Sequence, residues 1–254
     1  MNVPGFVPAE LRQLLKFVPD RGWDAIEWRP MLGSLRQLST RYVTGRGASG
    51  VRDALSLPMP ELRLCRKLSA PPLGVLTRKR DKQLAGDALL RLYFTQWRLD
   101  QGMFIDLRPR FFGFTEDAAL EFAPNGLWVQ LRPEFRDGML GLYASFYSDD
   151  TERFEKALLS MGMLREDLPD AAREKLKSLL FSHFGLNQSA QTFSIDAFQN
   201  SFDALFSFFL EHDYKLHSDF VVAGFCLITL YITLESLGQE HNVRSICAEA
   251  LMSD

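Results

Sequence analysis

Apolar positions recur at helical spacing along most of the chain. Leu11, Leu14, Leu15 and Val18 predict a helix starting at about Pro8, because proline is tolerated in a first helical turn. Leu84, Ala88, Leu89, Leu92, Tyr93 and Trp97 form one stripe and predict a helix over 83–99, which Gly102 brings to an end. After Pro133 the stripes return at Met139, Leu142 and Phe146; at Phe154, Ala157, Leu158 and Met161; at Leu176, Leu179, Leu180 and Phe184; and at Phe202, Leu205, Phe206 and Phe209. Phe220 to Leu234 carries no charge over fifteen residues. A bilayer span needs about 20 apolar residues. The shorter run therefore predicts a helix buried in a protein core, packed against the Phe-rich helix around residues 202–210.

Two regions break this pattern. Residues 1–60 hold Pro4, Pro8, Pro19, Pro30, Pro58 and Pro60, which leaves room only for short elements, and Leu38 to Thr44 is compatible with a strand. Residues 103–131 consist of brief apolar runs separated by turns, which predicts small strands. Leu62 to Leu68 and Leu73 to Thr77, on either side of Pro71-Pro72, predict a hairpin. No fixed-period repeat is visible.

Composition agrees with a largely helical core. The 254 residues are 46% apolar, and with 21 Phe the interior is built from Phe and Leu more than from β-branched residues. Charge is unevenly spread: residues 1–110 carry 19 Lys and Arg against 10 Asp and Glu, whereas residues 111–254 carry 10 against 22. A basic front half suits phosphates, an anionic membrane surface or an acidic partner, and Arg78, Lys79, Arg80 and Lys82 predict an exposed basic cluster just before Leu84. No nucleic-acid partner is expected. No apolar segment of signal-peptide type precedes Lys16, and with Cys65, Cys226 and Cys247 widely separated the expected setting is a reducing cytoplasm.

Most routes to chemistry fail. Gly45-Arg46-Gly47-Ala48-Ser49-Gly50 matches the phosphate-binding spacing G-x-G-x-x-G, and Leu38 to Thr44 could be the strand before it, but Pro58 and Pro60 leave little helix after it and no acidic residue follows about 20 residues on as in a dinucleotide-binding unit, so it reads as a flexible linker. His183, His212, His217 and His241 do not share the three- or four-residue spacing of helical metal ligands, and no metal site is expected. Neither Ser145 nor Ser189 lies in a nucleophile-elbow context.

One segment carries more. Leu89-Leu90-Arg91 leads through Gln96 to Gly102-Met103-Phe104, a loop runs from Phe104 to Phe111, and Pro133-Glu134-Phe135-Arg136 follows a hairpin-like stretch. In order and spacing this resembles the catalytic half of the UbiB/AarF family of atypical kinase-like proteins. There a similar helix runs into H-A-D-x-H-P-G-N, then a strand hairpin, a D-F-G metal motif, P-E-x-R and a helical pair. Residues 205–251, with His217-Ser218-Asp219 and Thr233-Leu234-Glu235-Ser236, are similar to the closing helices of that family.

The resemblance implies an α+β, predominantly α fold: a reduced or rebuilt N-terminal lobe over 1–84 and a helical, protein-kinase-like C-lobe over 85–254. It also implies a setting in quinone or other lipid metabolism. The departures imply a lost activity. Both loop histidines are absent, Phe111 stands at the metal-binding asparagine, the metal motif reads Glu121-Phe122-Ala123, and the lysine element K-x-G-Q-x-x-S-x-R is missing. Asp106 and Glu121 remain as degenerate-site candidates, while Arg108 and Arg110 are candidates for holding an anion. The expectation is a catalytically inactive scaffold without cofactor that binds a protein, small molecule or lipid. The alternatives are a divergent Mg-ATP-dependent enzyme using Asp106 and Glu121, and a peripheral protein of anionic membrane surfaces.

Overall fold

The computed structural model describes residue 5 and residues 7–56, 58–148, 150–184 and 191–252; the side chains of Tyr147, Ser182, His183, Phe184 and Met252 are outside it. Residues 1–4, Ser189 and the His183 and Phe184 side chains named above thus lie outside the described residues. The protein is α+β and predominantly helical. Its contacts divide into two compact units interleaved in sequence: residues 1–40, 131–187 and 196–225 form the first, and residues 41–130, 188–195 and 226–254 the second. Position 84/85, where sequence suggests a division, falls inside a helix.

The first unit is helical. It contains α1 (Ala9–Leu15), most of α2 (Trp28–Thr44), α5 (Pro133–Ser148), α6 (Thr151–Ser160), α7 (Asp170–Phe184), nearly all of α8 (Ile195–Glu211) and the start of α9 (Ser218–Leu237). The expectation of short elements between prolines fails at α2, which runs for 17 residues. Pro30 is its third residue, where the backbone has no intrahelical donor to lose, so the ring costs no hydrogen bond. Leu38 to Thr44, compatible with a strand by sequence, is the end of this helix.

As the apolar pattern implies, α8 and the start of α9 pack through phenylalanines. Phe220 stacks on Phe202 at 5.8 Å between ring centroids and meets Phe206 and Phe209 edge-on. Helix α9 is longer than the uncharged run inside it, because Ser218, Asp219 and Glu235 to Leu237 continue it at both ends. Its 20 residues are long and apolar enough to cross a membrane by composition, and 67% of the apolar window is buried inside the protein.

The second unit carries every strand among the described residues. β1 (Leu62–Leu64) lies parallel to β4 (Leu120–Phe122), and β4 lies antiparallel to β3 (Phe112–Phe114), in the order β1-β4-β3. β2 (Met103–Phe104) pairs antiparallel with β5 (Trp128–Val129). The hairpin expected over 62–77 does not form. Pro71 and Pro72 have no N–H to give a ladder, residues 73–75 are a 3₁₀ turn, and β1 finds its partner almost sixty residues downstream. Helix α4 (Lys79–Gln96) ends several residues before Gly102, and α10 (Val243–Met252) packs against it. Between them the buried His241 ring lies against Gly86, where a Cβ would come within 2.2 Å of it, and its Nδ1 is 2.7 Å from Asp87 Oδ1.

The glycine-rich stretch is not a linker. It is the corner between α2 and α3 (Ala48–Ser56), and it closes over Trp128 of β5. Gly47 has φ +77°, and a Cβ there would lie 2.3 Å from the indole. The indole Nε1 donates to Arg46 O at 2.9 Å, and the Arg41 guanidinium lies 3.6 Å from the ring centroid. Glycine is required here by backbone conformation and by the approach of an indole.

Candidate functional site

Helix α4 delivers the chain to β2, and the segment 105–111 follows it directly before the β3–β4 hairpin. This segment is held by buried hydroxyls of α9. The Leu107 N–H donates to Thr229 Oγ1 at 3.0 Å, Thr229 Oγ1 lies 2.9 Å from Ile105 O, and Thr233 Oγ1 donates to Leu107 O at 2.6 Å. Both threonines are wholly buried, so these bonds satisfy loop backbone groups that have no water to turn to. Upstream, the Phe104 N–H donates to Gln96 Oε1 at 2.8 Å. The loop is therefore fixed from both sides.

Asp106 is 1% exposed and fully engaged. Its carboxylate accepts from Arg108 Nε at 2.7 Å and Nη2 at 2.5 Å, and from Asn125 Nδ2 at 2.6 Å. This is the two-pronged guanidinium–carboxylate geometry that makes the strongest ion pairs. Asn125 also accepts from the Leu127 N–H at 3.1 Å, so the turn between β4 and β5 is tied to the same carboxylate. Burial, and after it the Asp106 charge, push the Cys226 thiol well up, so that sulfur is no nucleophile.

Glu121 is in a different place. It lies within β4, its side chain accepting from the Ser69 and Ala70 N–H groups at 2.7 and 2.9 Å and from the Ser69 hydroxyl. The Ala70 amide, with the Ser69 hydroxyl next, holds this carboxyl below the usual range. Among the described residues Asp106 and Glu121 share no hydrogen-bond partner, and each is held by its own donors. Among the described residues no group of three or more His, Cys, Asp or Glu side chains is arranged to hold a metal. The donor set consequently does not fit a magnesium-bound nucleotide: one carboxylate is paired with an arginine, and the other is engaged by two backbone amides and a serine hydroxyl.

The two arginines part company as well. Arg108 is consumed by Asp106, whereas Arg110 is exposed and lies with its guanidinium 4.7 Å from the Phe111 ring centroid. Sequence reasoning named Glu121 beside Asp106 as a site candidate and did not name Asn125, whose amide is the group found on the Asp106 carboxylate. It also missed Thr229, Thr233 and Ser69. Two hydroxyls four apart in an otherwise apolar, charge-free run are a readable signal, because a buried Thr side chain needs a partner.

No family model matches the chain, and no curated protein matches it in sequence.

Proposed function

We propose that the chain is a catalytically inactive kinase-like protein whose 105–129 region is kept as a rigid element of a binding or regulatory scaffold. One observation carries this reading: Asp106, the residue that could orient an acceptor hydroxyl, is closed off by Arg108 and Asn125. A kinase-type aspartate works by accepting a substrate proton beside metal-held phosphates. In this one both carboxylate oxygens already accept from Arg108, and Oδ2 also from Asn125.

The order of elements supports the kinase-like part. A long helix, a short strand, a loop, a hairpin, a strand returning to the first one and a helical pair follow each other as α4, β2, 105–111, β3–β4, β5 and α5–α6. Phe104-Ile105-Asp106-Leu107, with Phe111 four positions on, also fits the frame H-R-D-L-x-x-x-N without a gap. In that frame the aspartate and leucine are kept, and phenylalanines replace the histidine and the metal-holding asparagine. The setting assigned to the scaffold, quinone or other lipid metabolism, rests on the family resemblance alone.

The test is nucleotide binding read by thermal melting. Magnesium and ATP together should leave the melting temperature where either leaves it alone. A rise that needs both would overturn the reading, because a nucleotide bound through metal stabilises by mass action.

A further inference from the structure

We propose that the second unit docks on an anionic lipid bilayer through the surface formed by the 3₁₀ turn Leu73–Val75 and the first turn of α4. Arg78, Lys79 and Arg80 are exposed there, with Lys82 half-exposed, and among the described residues none of the four makes an ion pair. Asp81 is the only acid in that turn. The 3₁₀ turn packs against residues 109–111, which brings the exposed Arg110 to the same neighbourhood.

The arrangement runs against the helix's own electrostatics. The start of a helix carries partial positive charge and favours acids, yet this one opens on four cations and has no side-chain cap at Arg78. Within the isolated protein these charges repel the helix end and each other. An anionic surface removes that repulsion and releases counterions.

The apolar residues at the same place decide between lipid and protein. Val75 is 62% exposed and Leu84 is 37% exposed, both aliphatic and both adjoining the cations in sequence. Protein hot spots are anchored by Trp, Tyr and Arg seated in pockets, whereas clusters of Lys and Arg with interspersed aliphatics suit the headgroup layer of an anionic bilayer. Pro71 and Pro72 brace the turn, with Pro71 O accepting from the Phe114 N–H at 3.2 Å, so Val75 is presented from a fixed base. Although this surface adjoins the end of the 105–111 segment, none of Arg78, Lys79, Arg80 and Lys82 is among the hydrogen-bond partners of Asp106, and its fate in experiment does not depend on whether the loop is active.

The full chain would be floated with vesicles of phosphatidylcholine alone and with added phosphatidylserine. Binding is expected only with phosphatidylserine, and it should vanish at high salt, because exposed charges are screened. Each of Arg78, Lys79, Arg80 and Lys82 replaced by Ala should lower the partition coefficient about fivefold, and Val75→Asp should lower it further. The quadruple Ala variant should melt no lower than the native protein, since it loses charges that oppose the helix dipole, which separates lost docking from lost folding. Absence of binding to phosphatidylserine vesicles, equal binding to neutral ones, or binding untouched by the quadruple change would overturn the proposal.

Discussion

Asp106 and Arg108, two positions apart, form one closed pair in which the carboxylate of the first receives both Nε and Nη2 of the second. The pair is almost dry, with side-chain exposures of 1% and 11%. A carboxylate in this state is part of the packing of its loop. That fixes what its removal should do.

Asp106→Ala should destabilise the protein by about 3 kcal/mol, because it leaves the Arg108 guanidinium buried without its partner. Arg108→Ala should cost a similar amount, and the double variant clearly less than the two together, since neither charge is then orphaned. Chemical denaturation of the three variants measures this. A catalytic aspartate behaves in the opposite way, and its removal commonly leaves stability unchanged or raised.

The three glycines of the α2–α3 corner should separate by mechanism. Gly47→Val should cost about 3 kcal/mol, since φ is +77° and a Cβ there collides with Trp128. Gly45→Ala should cost only about 1 kcal/mol, because φ is +63° but the space is open. Gly50→Ala, inside α3 with open space and no positive φ, should stabilise by about 0.5–1 kcal/mol. Melting curves of the three variants decide whether the motif is a packing corner; equal costs at the three positions would contradict it.

Much of the helical layout is readable from period alone, since α1, α4 to α9 and the Phe220–Phe202 contact follow apolar spacing. The strands are less so. β1 carries only three residues, and nothing local says that its partner is β4 and not the segment after Pro72. Helix α4 begins four residues before the pattern shows it, because Lys79 to Lys82 contribute no apolar signal. The site is legible in its residue types and hidden in its pairings. Asp106, Arg108 and Glu121 stand out in sequence, but the donors that disarm them, Asn125 and Ser69, lie 19 and 52 residues away.

Glu121 makes an acid-side prediction. Its carboxyl is held below the usual range, so the folded state prefers the charged form, and the stabilisation is present above the unfolded carboxylate range and lost as pH falls through the folded value. Glu121→Gln should cost about 1–3 kcal/mol at neutral pH through weakened bonds to Ser69 and Ala70. Denaturation at a series of pH values should show the difference between native and variant closing under acid conditions. A difference independent of pH would mean that the charge on Glu121 plays no part.

Ile228, 1% exposed in the middle of α9, is a sharper probe of the buried helix than its half-buried neighbour Leu227. Ile228→Asp should prevent folding by placing an unpaired charge in the core. Loss of cooperative unfolding in the purified variant would show this, and a native-like melt would contradict the packing of α9.

The central claim is that Asp106 supports structure and performs no phosphoryl transfer. It is tested most directly by incubating purified native protein with labelled ATP and magnesium or manganese, beside an Asp106→Asn, Glu121→Gln double variant shown by circular dichroism to be folded. Each lost electrostatic contact to the reacting phosphate costs about 100-fold or more in rate, and the proposed kinase-like reading leaves this chain without a metal-holding asparagine, a metal-motif aspartate and a lysine element, so that reading predicts the same metal-independent background in both proteins. Metal-dependent turnover by the native chain that disappears in the double variant would contradict the account and make the loop an active site.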